Sequence, residues 1–293
     1  MKYNEIVPKV NSILKQYEYP LTLRQVYYRL VAASAIENTR SNYTSLSSIL
    51  VKARERGEVD YRRIEDRVRS TIEDQYMLQC PGDLYEMMTY SMDHAAKKYR
   101  RDPWPKQDSH VEVWLEKDAL STVISRIATD KYGVTVAVNR GYGSFSFIKE
   151  GAERLSRFVD KSIHILYFGD FDPSGEDMVR DLQKRIMLYG APTAKVHKIA
   201  LTPAQIEAWK LPSAPVKNSD KRAAKFIEAN GDRSAVELDA LDPVDLQAIV
   251  KASIEEYIDP GRWSNVADKS TNDLREISEM MDTIKRCMAE ARP

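Results

Sequence analysis

Between residues 111 and 188, short apolar segments alternate with longer amphipathic ones, and this alternation restricts the fold more than any other feature of the sequence. The pattern predicts three strands, each followed by a helix: Val111–Leu115, Ala119–Thr129, Val134–Asn139, Phe147–Phe158, Ile163–Phe168 and Gly175–Leu188. Strands joined by helical crossovers run in the same direction, so we expect an α/β fold with a mostly parallel sheet covered on both faces. Ligands bind such sheets at the carboxyl ends of the strands.

The segment before the sheet has helical periodicity instead. It predicts three helices followed by a charged strand, wing or basic loop: Tyr3–Gln16, Leu23–Ala33, Thr44–Arg56 and then 57–69. Thr22 is suited to cap the second helix, and Gly57 to end the third. A helix-turn-helix or winged-helix module is the natural assembly of these elements.

The domain boundary is predicted at a proline-containing stretch. A helix at Tyr85–Arg101 is followed by Pro103 and Pro105, which break it. Because 293 residues exceed the usual size of one hydrophobic core, we predict two domains, 1–105 and 106–293. The stretch from Thr202 onward is predicted to be a helical extension of the second domain.

Whole-chain composition excludes several classes of protein. Hydrophobic residues make up 43% of the chain, no apolar run could span a bilayer, and the N-terminus lacks a signal-peptide pattern, so we expect a cytoplasmic protein without membrane contact. The two cysteines, Cys80 and Cys287, indicate neither a disulfide framework nor a zinc site. The net charge is zero, yet residues 40–69 carry a local excess of basic side chains.

Acidic residues follow two of the predicted strands directly. Glu116 comes after Val111–Leu115, and Asp170 and Asp172 come after Ile163–Phe168. Three carboxylates at one sheet edge are the ligands that Mg²⁺ prefers, with phosphate and water completing its coordination. The alternative is that Asp170 and Asp172 cap the helix near Gly175 while Glu116 caps an earlier helix. Glu112 is the weaker candidate ligand, and the four histidines have no metal-binding spacing.

These residues belong to an ordered set of motifs: Glu116-Lys117, then Arg140-Gly141-Tyr142-Gly143, then Gly169-Asp170-Phe171-Asp172-Pro173-Ser174-Gly175. Together they resemble the Toprim domain of the topoisomerase VI A subunit, whose architecture the meiotic double-strand-break protein shares. The resemblance implies a winged-helix domain followed by a Rossmann-like Toprim domain. It also implies that Glu116, Asp170 and Asp172 bind magnesium.

The resemblance extends upstream, over about residues 20–260. Arg24-Gln25-Val26-Tyr27-Tyr28 is similar to the motif in which the family's final tyrosine attacks DNA and forms a 5′-phosphotyrosyl bond. By position that nucleophile is Tyr28, with Tyr27 as the fallback. The compact spacers resemble the reduced stand-alone forms called Mini-A and, more distantly, the Toprim nuclease subunits of plasmid-defence condensin systems.

The family also implies partners. Its active sites form between two protomers, so a homodimer that cuts double-stranded DNA is expected. Strand passage in topoisomerase VI relies on a separate ATPase subunit, and no ATP-binding motif is visible in this chain. An ATPase partner is therefore possible, and complete topoisomerase activity is not implied.

Tyrosine chemistry would need help from neighbouring cations, since a phenol is a weak nucleophile at neutral pH. Arg24 lies one helical turn before Tyr28 and could hold the phosphate or favour the phenolate, and Arg29 could contact the DNA backbone. The alternative is that Tyr27 and Tyr28 simply pack in the helical domain.

Other charged residues have two interpretations each. The basic segment could contact phosphates or form a solvated surface, and its candidate residues are Arg54, Arg56, Arg62, Arg63 and Arg67. Lys117 and Arg140 could neutralise phosphate or pair with acidic neighbours. Glu237 and Asp239 could support the carboxylate site or point outward from a short element.

Three functions remain open from the sequence. The first is a magnesium-dependent DNA-cleaving enzyme that uses Tyr28 covalently. The second is a Toprim endonuclease in which metal-activated water cuts the strand. The third is a non-catalytic DNA-binding subunit that needs a partner.

Overall fold

The computed structural model of the chain describes residues 1–65, 80–216, 222–231 and 234–290. Contacts divide the chain into two units, Met1–Arg69 with His110–Glu256, and Ser70–Ser109 with Tyr257–Pro293. The predicted domains, 1–105 and 106–293, stay a prediction. In the described part of the chain, no helix is long and apolar enough to cross a membrane.

The helices of the described residues are α1 (Tyr3–Leu14), α2 (Leu23–Ala32), α3 (Arg40–Glu55), α4 (Pro81–Lys98), α5 (Ser121–Ala128), α6 (Phe145–Leu155), α7 (Pro173–Leu188), α8 (Pro203–Ala208), α9 (Ala223–Asn230), α10 (Pro243–Glu255) and α11 (Pro260–Glu290). The strands are β1 (Leu21–Thr22), β2 (Ile64–Glu65), β3 (Ser109–Leu115), β4 (Thr135–Val138), β5 (Ser162–Phe168), β6 (Lys195–Ala200), β7 (Ala214–Pro215) and β8 (Ser234–Ala235).

The N-terminal helices form around a small apolar core. Thr22 caps α2 as predicted, because its hydroxyl accepts from the Gln25 backbone N–H while the Gln25 side chain accepts from the Thr22 N–H. The core includes the fully buried side chains of Val26, Leu30, Leu46 and Leu50. Residues 57–69 were predicted as a strand, wing or loop, and the described part ends in β2, which pairs with β1.

The central sheet has four parallel strands in the order β4-β3-β5-β6, so the predicted α/β class with a parallel sheet is confirmed. Ile163, Ile165 and Tyr167 of β5 pack against α6 and α7. Leu166 and Phe168 alternate with them and are also buried, so both faces of the sheet are covered. The residues that follow β3 and β5 therefore emerge side by side at the carboxyl edge.

The second unit contains α4 and α11, which pack against each other. Arg101 and Tyr99 bond to Asp273, Lys285 pairs with Asp93, and the Trp104 ring meets the Trp263 ring edge-on at 5.6 Å. None of the 31 residues of α11 is buried, and all of them lie in the described part of the chain. The pair of Lys285 and Asp93 joins the two helices directly, and the other contacts join α11 to the segment that follows α4.

Candidate functional site

The sheet brings Glu116 and Asp170 together. Glu116 directly follows β3, and its backbone N–H donates to the Phe168 carbonyl at 2.9 Å. The Asp170 backbone N–H in turn donates to Glu116 Oε2 at 3.0 Å. Gly169 makes this approach possible, since a Cβ there would lie 2.7 Å from Glu116 Oε2 and 2.6 Å from the Tyr167 ring. Glu116 is therefore a neighbour of Asp170 at the carboxyl edge and does not cap a helix.

Asp172 has the position of a helix cap, as the alternative interpretation expected. Its Oδ1 accepts from the Gly175 backbone N–H at 2.6 Å at the start of α7. The cap uses one of the two carboxylate oxygens. Gly175 is required at this turn, because a Cβ there would lie 2.2 Å from the Asp170 carbonyl oxygen. The turn thus keeps Asp170 and Asp172 on one short loop.

Lys117 joins a second set of carboxylates to the site. Its Nζ lies 2.8 Å from Asp170 Oδ1, 2.9 Å from Asp239 Oδ2 and 3.1 Å from Glu237 Oε2. The sequence left the roles of Glu237 and Asp239 open, and the structure brings both to the carboxyl edge of the sheet. The Leu238 backbone N–H, between them, donates to Asp170 Oδ1 at 2.7 Å. The stretch Val236-Glu237-Leu238-Asp239 alternates apolar and acidic residues, which was the only sequence signal for this arrangement.

Negative charge is in excess here. Glu116, Asp170, Asp172, Glu237 and Asp239 contribute carboxylates, whereas Lys117 and Arg24 contribute the contacting cations. Burial and then the neighbouring Asp170 raise the pKa of Glu116 well above its usual value, and burial raises the pKa of Asp170 despite Lys117. In contrast, Lys117 and Arg24 outweigh burial at Glu237 and lower its pKa. The ionised forms of Glu116 and Asp170 are therefore disfavoured, whereas that of Glu237 is stabilised.

The donor set fits a hard divalent ion in charge and in ligand type. Among the described residues, no three His, Cys, Asp or Glu side chains are already grouped as metal ligands. Asp239 is fully buried, and its Oδ1 has no hydrogen-bond partner in that same part of the chain. Carboxylates that share excess negative charge, with one buried oxygen unpartnered, suit Mg²⁺ completed by water or phosphate oxygens. Glu116, Asp170 and Asp172 remain the predicted ligands.

Arg24 and Tyr28 lie on α2 and face these carboxylates. Arg24 forms an ion pair with Glu237, and its Nε is 3.7 Å from Asp239 Oδ2. Tyr28 is buried, and burial followed by the charge of Glu237 raises its pKa, although the charge of Arg24 acts in the opposite direction. The predicted proximity of Arg24 to Tyr28 is thus present, but the phenol is held in its neutral form.

Two adjoining cavities connect the tyrosine with the carboxylates. One, of about 380 Å³, is lined by Tyr28, Asp170, Asp172 and Glu237, among others. The other, of about 240 Å³, is lined by Arg24, Tyr28 and Glu237, among others. Tyr28 and Glu237 belong to both linings. A single chain therefore presents the predicted nucleophile and two of the predicted metal ligands to one cavity.

Tyr27 has a packing role that accounts for its position. Its hydroxyl donates to Asn38 Oδ1 at 3.1 Å and to the Thr39 carbonyl at 3.0 Å, and its ring meets the Tyr43 ring edge-on. These contacts attach α2 to the start of α3. Tyr27 lines only the smaller cavity, on the side of Arg24.

The other predicted DNA-contacting residues are dispersed. Arg29 bonds to Asp242 and to the Ala240 carbonyl, both at 2.5 Å, and thereby ties α2 to the segment that carries Asp239. Arg63 donates to the carbonyls of Leu14 and Tyr17. Neither arginine lines the two cavities that Tyr28 lines. Both therefore have structural partners, and their contact with DNA stays a prediction.

The remaining basic candidates lie at the surface. Arg54 donates to the Leu50 carbonyl of its own helix, Arg56 lies over the Tyr3 ring and Arg62 over the Tyr61 ring. Arg67 lies outside the described residues. Arg140 is 70% exposed and pairs with Asp118 at 2.9 Å. Arg140 and Gly141 both have positive φ, in the short loop between β4 and α6.

Glu112 is fully buried in the middle of β3. Arg154 binds it through two hydrogen bonds of 2.7 and 2.8 Å, and the Trp114 indole donates to it at 2.9 Å. Although burial alone would raise its pKa, these donors lower the pKa of Glu112 to about 2. The ion pair with Arg154 therefore accounts for an acidic residue inside a buried strand, and a metal is not needed to explain it.

Comparison of the sequence with models of protein families found no matching family, and comparison with curated proteins found no match either.

Proposed function

We propose that this protein is a magnesium-dependent enzyme that cleaves DNA in the manner of the topoisomerase VI A subunit. The observation that carries the proposal is the cavity that Tyr28 shares with Asp170 and Asp172. The first helices would act as a winged-helix domain and the parallel sheet as a Toprim domain. The motif order and the position of the carboxylates at the carboxyl edge of the sheet support this assignment.

The substrate would be the phosphodiester backbone of double-stranded DNA. A carboxylate-rich edge repels a phosphate by itself, so the anionic substrate requires cations beside it. Lys117 and Arg24 supply two of them within the site. Glu116, Asp170 and Asp172 would hold Mg²⁺, which when bound would neutralise charge developing on the phosphate.

In the covalent reaction, the Tyr28 hydroxyl oxygen forms a bond to phosphorus and the bond from phosphorus to the 3′ oxygen breaks. The strand then carries a 5′-phosphotyrosyl link on one side and a 3′ hydroxyl on the other. The phenolic proton leaves to Glu237, an ionised carboxylate on the same cavity, and the departing 3′ oxygen takes up a proton from water. Arg24, which lines the same cavity as Tyr28, stabilises the phenolate that attacks.

A second candidate function is hydrolysis by water at the same carboxylates. The raised pKa of Tyr28 favours this alternative, because a buried neutral phenol is a weaker nucleophile than an exposed one. Tyr28 would then bind the DNA without bonding to it. The non-catalytic alternative would keep the same cavity only for binding.

The assembly is also part of the proposal. The family resemblance implies a homodimer with each site shared between protomers, and a possible separate ATPase subunit. Tyr28 and the carboxylates of one chain already line a common cavity. Each chain would therefore carry a complete set of reacting groups, and dimerisation would serve to cut both strands of a duplex.

The proposal is tested with supercoiled plasmid and Mg²⁺, comparing Tyr28→Phe, Asp170→Ala and Tyr27→Phe with the unsubstituted protein. Products are separated before and after protease digestion. We expect cleaved DNA with protein attached, abolished by Tyr28→Phe and Asp170→Ala but retained by Tyr27→Phe, whose hydroxyl only joins α2 to α3.

Three other results of this experiment would each lead to a different conclusion. Cleavage that needs Asp170 but not Tyr28, and that leaves no attached protein, would establish hydrolysis. Binding of plasmid without any cleavage would support the non-catalytic subunit. A protein that neither binds nor cuts DNA would refute the proposal.

A further inference from the structure

Arg40 occupies the junction of the two cavities. It is the first residue of α3, directly after the cap residue Thr39. Like Tyr28, it lines the cavity with Asp170 and Asp172 as well as the cavity with Arg24. In the sequence, Arg40 is one of many basic residues between positions 40 and 69, so the pattern alone does not distinguish it.

The guanidinium of Arg40 differs from those of Arg24 and Arg29, which are held by acidic partners. Arg24 is bonded to Glu237, and Arg29 to Asp242. Among the described residues, by contrast, the exposed Arg40 side chain makes no ion pair and no hydrogen bond. A guanidinium with its donors available, facing a cavity, suits bidentate binding of a phosphate.

Part of the lining of the larger cavity, its proline-containing wall, is apolar. It consists of Pro212, Ala214, Pro215, Val216 and Val236. The volume of about 380 Å³ lies within the range of cavities that hold small organic ligands. A bare anion would leave this apolar surface uncovered, whereas the sugar and base of a nucleotide would cover it.

We propose that Arg40 binds a phosphate of the DNA strand that enters the cavity, while the proline-containing wall packs against the attached nucleoside. This inference rests on the proposed function, since it takes the ligand to be a strand of DNA. Arg40 would be a binding residue, placed to hold the strand between Tyr28 and the carboxylate edge. It would fix the register in which the DNA strand meets Tyr28 and the carboxylates.

The test separates binding from cleavage. Anisotropy of a short fluorescein-labelled DNA duplex is measured in EDTA over a series of salt concentrations, for the unsubstituted protein, Arg40→Gln, Arg40→Lys and Lys52→Gln. Lys52 is exposed on the same helix and lines neither cavity, so it is a control with the same change in charge. Thermal unfolding of each variant confirms that the fold is retained, and plasmid cleavage is assayed in parallel.

We expect Arg40→Gln to weaken binding about tenfold and to reduce the slope of log K against log salt by about 0.9, the value for one phosphate contact. Arg40→Lys should restore the slope but only part of the affinity, because an ammonium lacks the paired donors. Lys52→Gln should change both quantities much less. Inorganic phosphate should compete only weakly, since it does not cover the apolar wall.

Equal effects of Arg40→Gln and Lys52→Gln, in a protein that binds and cleaves DNA, would overturn the role of Arg40 and leave the proposed function standing. Strong competition by inorganic phosphate would overturn the nucleoside part, because the site would then hold a free anion. Failure of the unsubstituted protein to bind any DNA would overturn the proposed function and this inference together.

Discussion

At the scale of single residues, the site depends on contacts that a sequence pattern does not contain. The spacing after the two strands was enough to place Glu116 and Asp170 at one edge, because parallel neighbours end together. It left open whether Asp172 caps α7, and it left open whether Glu237 and Asp239 support the site, which they do through Lys117. Those positions depend on how residues far apart in the chain pack.

Gly169→Ala should disturb Glu116. The new methyl group would lie within 2.7 Å of Glu116 Oε2 and 2.6 Å of the Tyr167 ring, so one of them must move. We expect a loss of about 1–3 kcal/mol in the free energy of unfolding, and a smaller rise in melting temperature on adding Mg²⁺. Urea unfolding and thermal melting measure the two effects. Gly261→Ala is the control, since its nearest neighbour is 3.4 Å away. If both variants behave alike, Gly169 does not position Glu116.

Lys117→Met should destabilise the protein strongly. Asp239 is fully buried, and removing its ammonium partner at 2.9 Å leaves only Arg24, at 3.7 Å, to compensate the buried charge. The expected loss is about 3–5 kcal/mol in the free energy of unfolding. The double variant Lys117→Met with Asp239→Asn should recover part of that loss, because the buried charge is removed as well. Additive effects in a urea-unfolding cycle would contradict the ion pair.

At the scale of elements, the sequence predicted the strands that end at the site and missed one at the other side. β6 was not predicted, because Lys195-Val196-His197-Lys198 contains a single apolar residue and does not alternate, on a partly exposed edge strand. The third helix begins at Arg40 and not at Thr44, since Thr39 accepts from the Asn42 backbone N–H and caps it. The first residue of a helix is hard to predict from sequence, because several nearby residues can serve equally well as its cap.

The contact between β5 and β6 should make stability depend on pH. His164 Nδ1 lies 3.0 Å from His197 Nε2, and burial, followed by the charge of His197, lowers the pKa of His164 to about 4. The unfolded chain therefore takes up a proton before the folded one does, so stability falls as pH decreases from about 6.5 towards about 4. Urea unfolding at intervals across this range should show a shallower dependence for His164→Gln. An unchanged dependence would exclude the histidine pair as a cause.

At the scale of the whole molecule, the contacts do not follow the order of the chain. Residues 1–69 group with residues 110–256, and the residues between them group with the C-terminal segment. Sequence reasoning assigns boundaries at breaks such as Pro103 and Pro105, since it reads the chain as consecutive pieces. Pairing of α4 with α11, about 170 residues apart along the chain, leaves no local signal.

The rate of amide hydrogen exchange should differ sharply between α10 and α11, which follow each other along the chain. α10 buries Leu246, Val250 and Ile254, whereas no residue of α11 is buried. Local opening of a helix with few buried contacts costs less free energy, so amides of α11 should exchange at least about tenfold faster than those of α10. Exchange followed by mass spectrometry measures both in one sample. Equal protection would mean that α11 is covered in solution.

The ion pairs of α2 restrict how this sequence can diverge. Arg24 and Arg29 are both bonded to acidic residues of the segment 237–242, which lies more than two hundred positions further along the chain. A change at one member of either pair leaves a partly buried charge without its partner, so it is tolerated only if the other member changes too. Descendants of a common ancestor should therefore show correlated substitution at Arg24 with Glu237 and at Arg29 with Asp242, while the exposed pair of Arg140 and Asp118 should drift independently.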